Sequence, residues 1–126
     1  MIGLLATLQV CLANGQSSHL WISVQAIEQL PQGPLYDLLS DPNMERFWRN
    51  GTMFPDGGYA VGDAYGEIAH WEPFQTAYLG WIKETYSPPW NEEAKQHIAF
   101  LMGLGSHGLA DQAYDAIYFR RAYLYD

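Results

Sequence analysis

The chain has 126 residues, of which 48% are apolar, 15% aromatic and 16% charged. That is enough for one domain with a packed core and too little for two ordinary ones, and it excludes a disordered, collagen-like or coiled-coil chain. Fourteen acidic residues against six basic ones give a formal charge of −8. A surface of that sign repels polyanions, so no nucleic-acid partner is favoured, and it welcomes metal cations. The single cysteine, Cys11, rules out an intrachain disulfide and a cysteine-based zinc site.

The first element is apolar. Ile2 to Leu12 carry only Thr7 and Gln9 as polar interruptions, too short a run to span a bilayer, which needs about 20 residues. It fits the apolar region of a signal peptide, and Cys11-Leu12-Ala13 offers small residues at the two positions that signal peptidase reads. The sequence therefore predicts a leader over 1–13, a secreted, periplasmic or extracellular protein, and Asn14 as mature N-terminus. The alternative is a buried first helix.

Ser17 or Ser18 can cap a helix running to Leu30, with Leu20, Val24, Ile27 and Leu30 as its apolar face and Pro31 as its stop. Gly33-Pro34 opens a short second helix. Asp41-Pro42 predicts a third, ending at Arg49. Asn50 to Gly66 holds five glycines and one proline and reads as an ordered loop anchored by Phe54, Tyr59, Val61 and Tyr65. Pro73 to about Tyr86 reads as a helix broken by Ser87-Pro88-Pro89. Asn91 caps a last long helix, with Glu92 and Glu93 in its first turn, running through Asp111 toward Tyr118. No segment alternates apolar and polar residues over a useful length, so the predicted fold class is all-α.

Candidate chemistry lies in the histidines and their carboxylate neighbours. His107 and Asp111 are four apart on a predicted helix, so both face one side and could share a metal; Asp115 continues that face. An ordinary helical hydrogen-bonded pair is the alternative. Gly103, Gly105 and Gly108 around them cost about 1 kcal/mol each relative to alanine, which points to close backbone packing there. Asp56 and His70 bracket the glycine-rich stretch as candidate ligands, or as a turn residue and a satisfied histidine. His19 opens the first helix, where a metal-bound neutral imidazole suits the positive helix end better than an imidazolium. His97 reads as solvent-exposed and without chemistry. Gly105-Ser106-His107-Gly108 lacks the strand-to-helix elbow of a serine hydrolase, and no nucleotide-binding glycine motif is present.

Phe54-Pro55-Asp56, Gly66-Glu67, His70-Trp71, Pro73-Phe74, Pro89-Trp90, Ile98-Ala99-Phe100-Leu101, Ser106-His107 and Ala110-Asp111, in this order and with Ser18-His19 before them, resemble the zinc-dependent phospholipase C family. The branch they most resemble is that of the N-terminal catalytic domains of glycosylphosphatidylinositol-specific phospholipases D and their bacterial relatives. The resemblance runs from about Asn14 to Asp115. It implies an all-helical domain with up to three zinc ions in a cleft, of which one or two are expected here. Asp56, His70, His107 and Asp111 would hold one zinc; Asp111 would bridge to a second, held also by His19 and by the amine and carbonyl of Asn14. Asp56 would be the catalytic residue, orienting or deprotonating the attacking water. Family members carry Trp or Cys where this chain has Asn14, and His where it has Asp115, and further ligands fall beyond Asp126. The resemblance therefore implies that 14–126 is the N-terminal portion of such a domain, truncated at the C-terminus. The implied substrate is a phospholipid or other phosphodiester, with transient membrane-surface contact. The alternatives are a non-catalytic helical metal-binding domain of the same family, or a single-strand-specific nuclease, which shares fold and site.

Overall fold

A computed structural model describes residues 15–119, and within them every element is helical. The expected leader, with Cys11 and Asn14, lies outside the described residues, as does the chain beyond Phe119.

Helix α1 spans Gln16–Glu28. It starts a residue or two before the expected serine caps: the extended Gly15 is the N-cap and its carbonyl accepts from Ser18 N at 2.7 Å. Helix α2, Pro34–Ser40, begins on the expected proline, whose fixed φ and missing N–H cost nothing in a first turn. Asp41 then turns extended, as the residue before a proline must. Its carboxylate accepts the Asn43 backbone N–H at 2.8 Å, closing a turn rather than capping a helix. Helix α3 consequently starts at Glu45, and it runs to Val61, far past Arg49.

The expected loop from Asn50 is thus mostly helix, and the reason is long-range. A Cβ on Gly51 would lie 2.0 Å from the Phe100 carbonyl oxygen, and one on Gly103 would lie 1.9 Å from that of Trp48. These two glycines let the backbones of α3 and α6 touch; they serve a helix crossing and not a turn. Pro55 sits buried inside α3. The glycine that acts as a chain stop is Gly62, which ends α3 in the left-handed region at φ 71°. Helix α4 spans Tyr65–His70, so His70 sits on a helix and not at a loop end. Helix α5, Glu72–Thr85, and helix α6, Glu92–Tyr114, match expectation. The Asn91 side chain accepts from Ala94 N at 2.8 Å. A π-helical turn, Asp115–Phe119, prolongs α6.

Helix α6 is the central rod. Leu39, Met44, Trp48 and Ala99 form one buried cluster, packed by Val24, Ile27 and Leu30 of the α1 side. Ala69, Ile82, Leu101 and Leu104 form a second, packed by Phe54, Phe74 and Tyr78. No described helix is long and apolar enough to cross a membrane.

Candidate metal centre

Four helices bring five side chains together: His19 from α1, Asp56 from α3, His70 from α4, and His107 with Asp111 from α6. The i, i+4 spacing on α6 holds His107 Nε2 3.2 Å from one Asp111 oxygen, and His19 Nε2 lies 3.2 Å from the other. His70 Nε2 is 3.6 Å from both Asp56 Oδ1 and Asp111 Oδ2. His107 Nε2 is 4.0 Å from Asp56 Oδ1. The imidazoles of His19 and His107 stack with centroids 3.8 Å apart, and His70 meets His107 edge-on at 4.8 Å. Two groups with ligand atoms within 4.8 Å of one another result: His19, His107 and Asp111, and Asp56, His70 and His107. The four residues other than Asp111 are each at most 7% exposed.

The backbone fixes which nitrogen faces inward. His70 Nδ1 meets the Gly66 carbonyl oxygen at 2.6 Å, and His107 Nδ1 meets that of Thr52 at 2.7 Å. A carbonyl only accepts, so each Nδ1 carries the proton and each Nε2 presents a lone pair to the centre. Among the described residues, His107 Nε2, His19 Nδ1, Asp56 Oδ2 and Asp111 Oδ1 are buried without a hydrogen-bond partner. Several of the contacts above are short but misaligned for hydrogen bonding. Such orphaned groups cost about 1–3 kcal/mol each unless something satisfies them.

A divalent cation fits these facts. Ligand atoms about 2.0–2.2 Å from a tetrahedral ion are about 3.3–3.6 Å apart, close to the 3.2–3.6 Å separations found here. Imidazole nitrogen with carboxylate oxygen is a zinc-type donor set. Burial pushes the Asp111 carboxyl up, but its interactions with the His107 and His19 imidazoles outweigh this and hold it below the usual carboxylate range. It is therefore ionised and ready to coordinate. Its two oxygens face different imidazoles, Oδ1 that of His19 and Oδ2 those of His107 and His70.

The expected set is thus largely assembled in space. Asn14 lies outside the described residues. Asp115 lies one turn past Asp111, exposed, and belongs to neither group. The glycines around His107 divide: Gly103 meets the α3 backbone, Gly108 would place a Cβ 2.8 Å from the His70 carbonyl oxygen, and Gly105 meets nothing closer than 3.9 Å. His97 is corrected. It is half-buried among Tyr78, Trp81 and Tyr86, with its Nδ1 2.6 Å from the Tyr78 hydroxyl. Its partners come mainly from α5, which its polar neighbours Lys95 and Gln96 did not reveal.

Sequence reasoning also missed a frame at the edge of the centre. The Tyr59 ring lies 5.0 Å from that of His70. Its hydroxyl donates to Glu67, and Trp71 Nε1 donates to the same carboxylate at 2.8 Å. These two hydrogen bonds hold the Glu67 carboxyl below its ordinary range. Burial, then the Glu67 hydrogen bond, pushes the Tyr59 phenol up to about 12. The i, i+4 spacing of Glu67 and Trp71 was the available signal, hidden by the loop reading.

Fold and site define the class first: an all-helical protein whose helices converge on a buried His/Asp cluster able to hold metal. The comparisons then give its relatives. The chain is 31% identical over 119 residues to phosphatidylinositol-glycan-specific phospholipase D of Rattus norvegicus, covering 87% of this chain and 14% of that protein. It is 33% identical over 116 residues to the protein of that name from Mus musculus, covering 85% of this chain and 14% of the relative. The protein of that name from Dictyostelium discoideum is 39% identical over 69 residues, 53% of this chain and 7% of the relative. The chain therefore spans about one-seventh or less of the length of these relatives. No protein-family model and no solved structure matches it.

Proposed function

We propose that the chain is a catalytic segment of a zinc-dependent phosphodiester hydrolase of the phospholipase C/D type, acting on phospholipid or glycosylphosphatidylinositol-type substrates. The observation that carries this reading is the buried convergence of His19, Asp56, His70, His107 and Asp111, with His107 Nε2 and Asp111 Oδ1 facing the cluster and left without a hydrogen-bond partner. The similarity to proteins named phosphatidylinositol-glycan-specific phospholipase D supports the substrate class.

Asp56, His70, His107 and Asp111 would hold one ion, and His19 with Asp111 a second, completed by the amine and carbonyl of Asn14. Asp115 would serve a further ion. Bound zinc supplies Lewis acidity, making a water acidic near neutral pH and offsetting charge on the phosphoryl oxygens. Asp56 accepts the proton of the attacking water, for which its buried and unpartnered Oδ2 is suited. Thr52 and Gly66 hold the His107 and His70 rings in place through their carbonyls. Export through residues 1–13 belongs to the same reading, because cleavage would free the Asn14 amine.

The test is metal content by mass spectrometry, with hydrolysis of a glycosylphosphatidylinositol-anchored protein, a lysophospholipid and single-stranded DNA. One or more zinc ions per chain and hydrolysis of a lipid substrate are expected. Asp56→Asn should lower the rate by about 10²–10⁴-fold, the usual contribution of a general base. No stoichiometric zinc would sink the reading, and cleavage of DNA alone would move it to a nuclease.

A further inference from the structure

Beside the metal centre, α1, α2 and α6 leave a cavity of about 610 Å³, within the roughly 300–1,000 Å³ of small-molecule sites. Ile22 and Ala26 of α1, Leu30 just beyond it, Leu35 of α2 and Met102 and Ala113 of α6 are among its walls. Among the described residues, no charged one lines it. Its side-chain hydroxyls are Ser23 and Ser106, and these are 2.9 Å from each other. Ser23 is also 3.0 Å from the Thr52 hydroxyl, which donates to the Trp48 carbonyl at 2.9 Å. A chain from Ser106 through Ser23 and Thr52 to that carbonyl uses each hydroxyl proton once, so none is left for a guest.

We infer that this cavity is a binding site for a linear hydrocarbon chain. An extended peptide would bring polar backbone groups that the lining cannot pair, and an apolar helix of this chain, which pairs its own backbone, is the rival occupant that the test separates. A hydrocarbon chain brings no polar group to pair. The cavity also adjoins the metal centre: Ser23 lies one turn after His19 on α1, while Ser106 and Ala110 are next to His107 and Asp111 on α6. A substrate whose phosphoryl group is held at the centre can thus lay one chain along α1 and α6. The identity of the chain as a substrate's own tail rests on the hydrolase reading above; the capacity to bind hydrocarbon does not.

The test uses the whole 126-residue chain and displacement of 1-aminoanthracene by hexanol, octanol and decanol. Affinity is expected to rise by about fourfold per added methylene until the cavity is full, the increment expected of buried CH₂ groups. Ala26→Trp, which fills the cavity, and Leu35→Asp, which charges its rim, should each weaken decanol binding by about tenfold or more, equivalent to about 1.4 kcal/mol. Leu35 is 41% exposed, so its replacement keeps the fold testable by circular dichroism. Zinc content should not change in either variant. Absence of saturable displacement, as when the chain's own residues cover the cavity, would overturn the inference. So would affinity that ignores chain length or is unchanged in both variants, or a dimer that Ala26→Trp dissociates. The alcohols carry no phosphodiester and are also measured after chelation. Failure to hydrolyse lipid therefore leaves this result standing, and failure to bind alcohols leaves the hydrolase reading standing.

Discussion

His107 belongs to both candidate ligand groups, and its far nitrogen is held by a backbone carbonyl that mutation cannot remove. One inward nitrogen serves one ion, so His107→Ala should abolish binding of the zinc ion assigned to Asp56, His70, His107 and Asp111, whereas His19→Ala should affect only the ion it shares with Asp111. Metal analysis of the two purified variants checks this; equal losses would contradict the two-group arrangement. At the rim, Tyr59 illustrates what a neighbouring carboxylate does to a phenol. Its folded-state pKa lies above its ordinary value of 10.0, at about 12. The stability linked to its neutral hydroxyl is thus fully present below pH 10 and is lost as pH rises toward 12. Tyr59→Phe should flatten that part of a stability–pH profile. Glu67→Gln should bring the tyrosinate transition down without restoring the ordinary value, because burial is the larger cause; ultraviolet titration reads it.

At the level of the helix, glycine has opposite effects at different positions. Gly103→Ala forces a Cβ to within 1.9 Å of the Trp48 carbonyl oxygen, and neither backbone can yield. It should destabilise by about 3 kcal/mol or more, the upper end for overpacking, or prevent folding. Gly80, inside α5, has nothing within 4 Å of its would-be Cβ. Gly80→Ala should stabilise by about 0.5–1 kcal/mol through helix propensity and a less free unfolded chain. Thermal melts of the two variants should move in opposite directions. The contrast also explains what was legible in the chain. Pro34, Pro73 and Asn91 mark helix starts through chemistry confined to their own turn, and each start was found. The second half of α3 was misread because Gly51, Gly57, Gly58 and Gly62 look alike locally. Only Gly62 breaks the helix; Gly51 is there for α6, some fifty residues away. The gathering of His and Asp side chains was legible through the spacing on α6 and the family resemblance, while Tyr59, Glu67 and Trp71 depended on a helix that the sequence did not announce. His97 was lost for the same reason, since its aromatic neighbours lie chiefly on another helix.

Across the whole molecule, a chain of formal charge −8 gathers two carboxylates in one cluster, Asp56 buried and Asp111 partly so, so a divalent cation relieves repulsion both locally and globally. Zinc at one hundred times its dissociation constant should raise stability by about 2.7 kcal/mol, and a chelator should reverse the gain; a melting temperature indifferent to both would count against the centre. The backbone approach of α3 to α6 that Gly51 and Gly103 permit has a thermodynamic consequence here. It holds α3 to α6 backbone against backbone, so the main chain fixes where the Asp56 and His107 side chains are rooted, and the Thr52 carbonyl fixes the His107 ring. An ion then arrives at ligands already in position and buries little new apolar surface. Calorimetry of zinc binding should show a heat-capacity change near zero, with amide exchange at the crossing equally slow before and after loading. Recognition of the metal would resemble a key entering a cut lock, with folding completed beforehand.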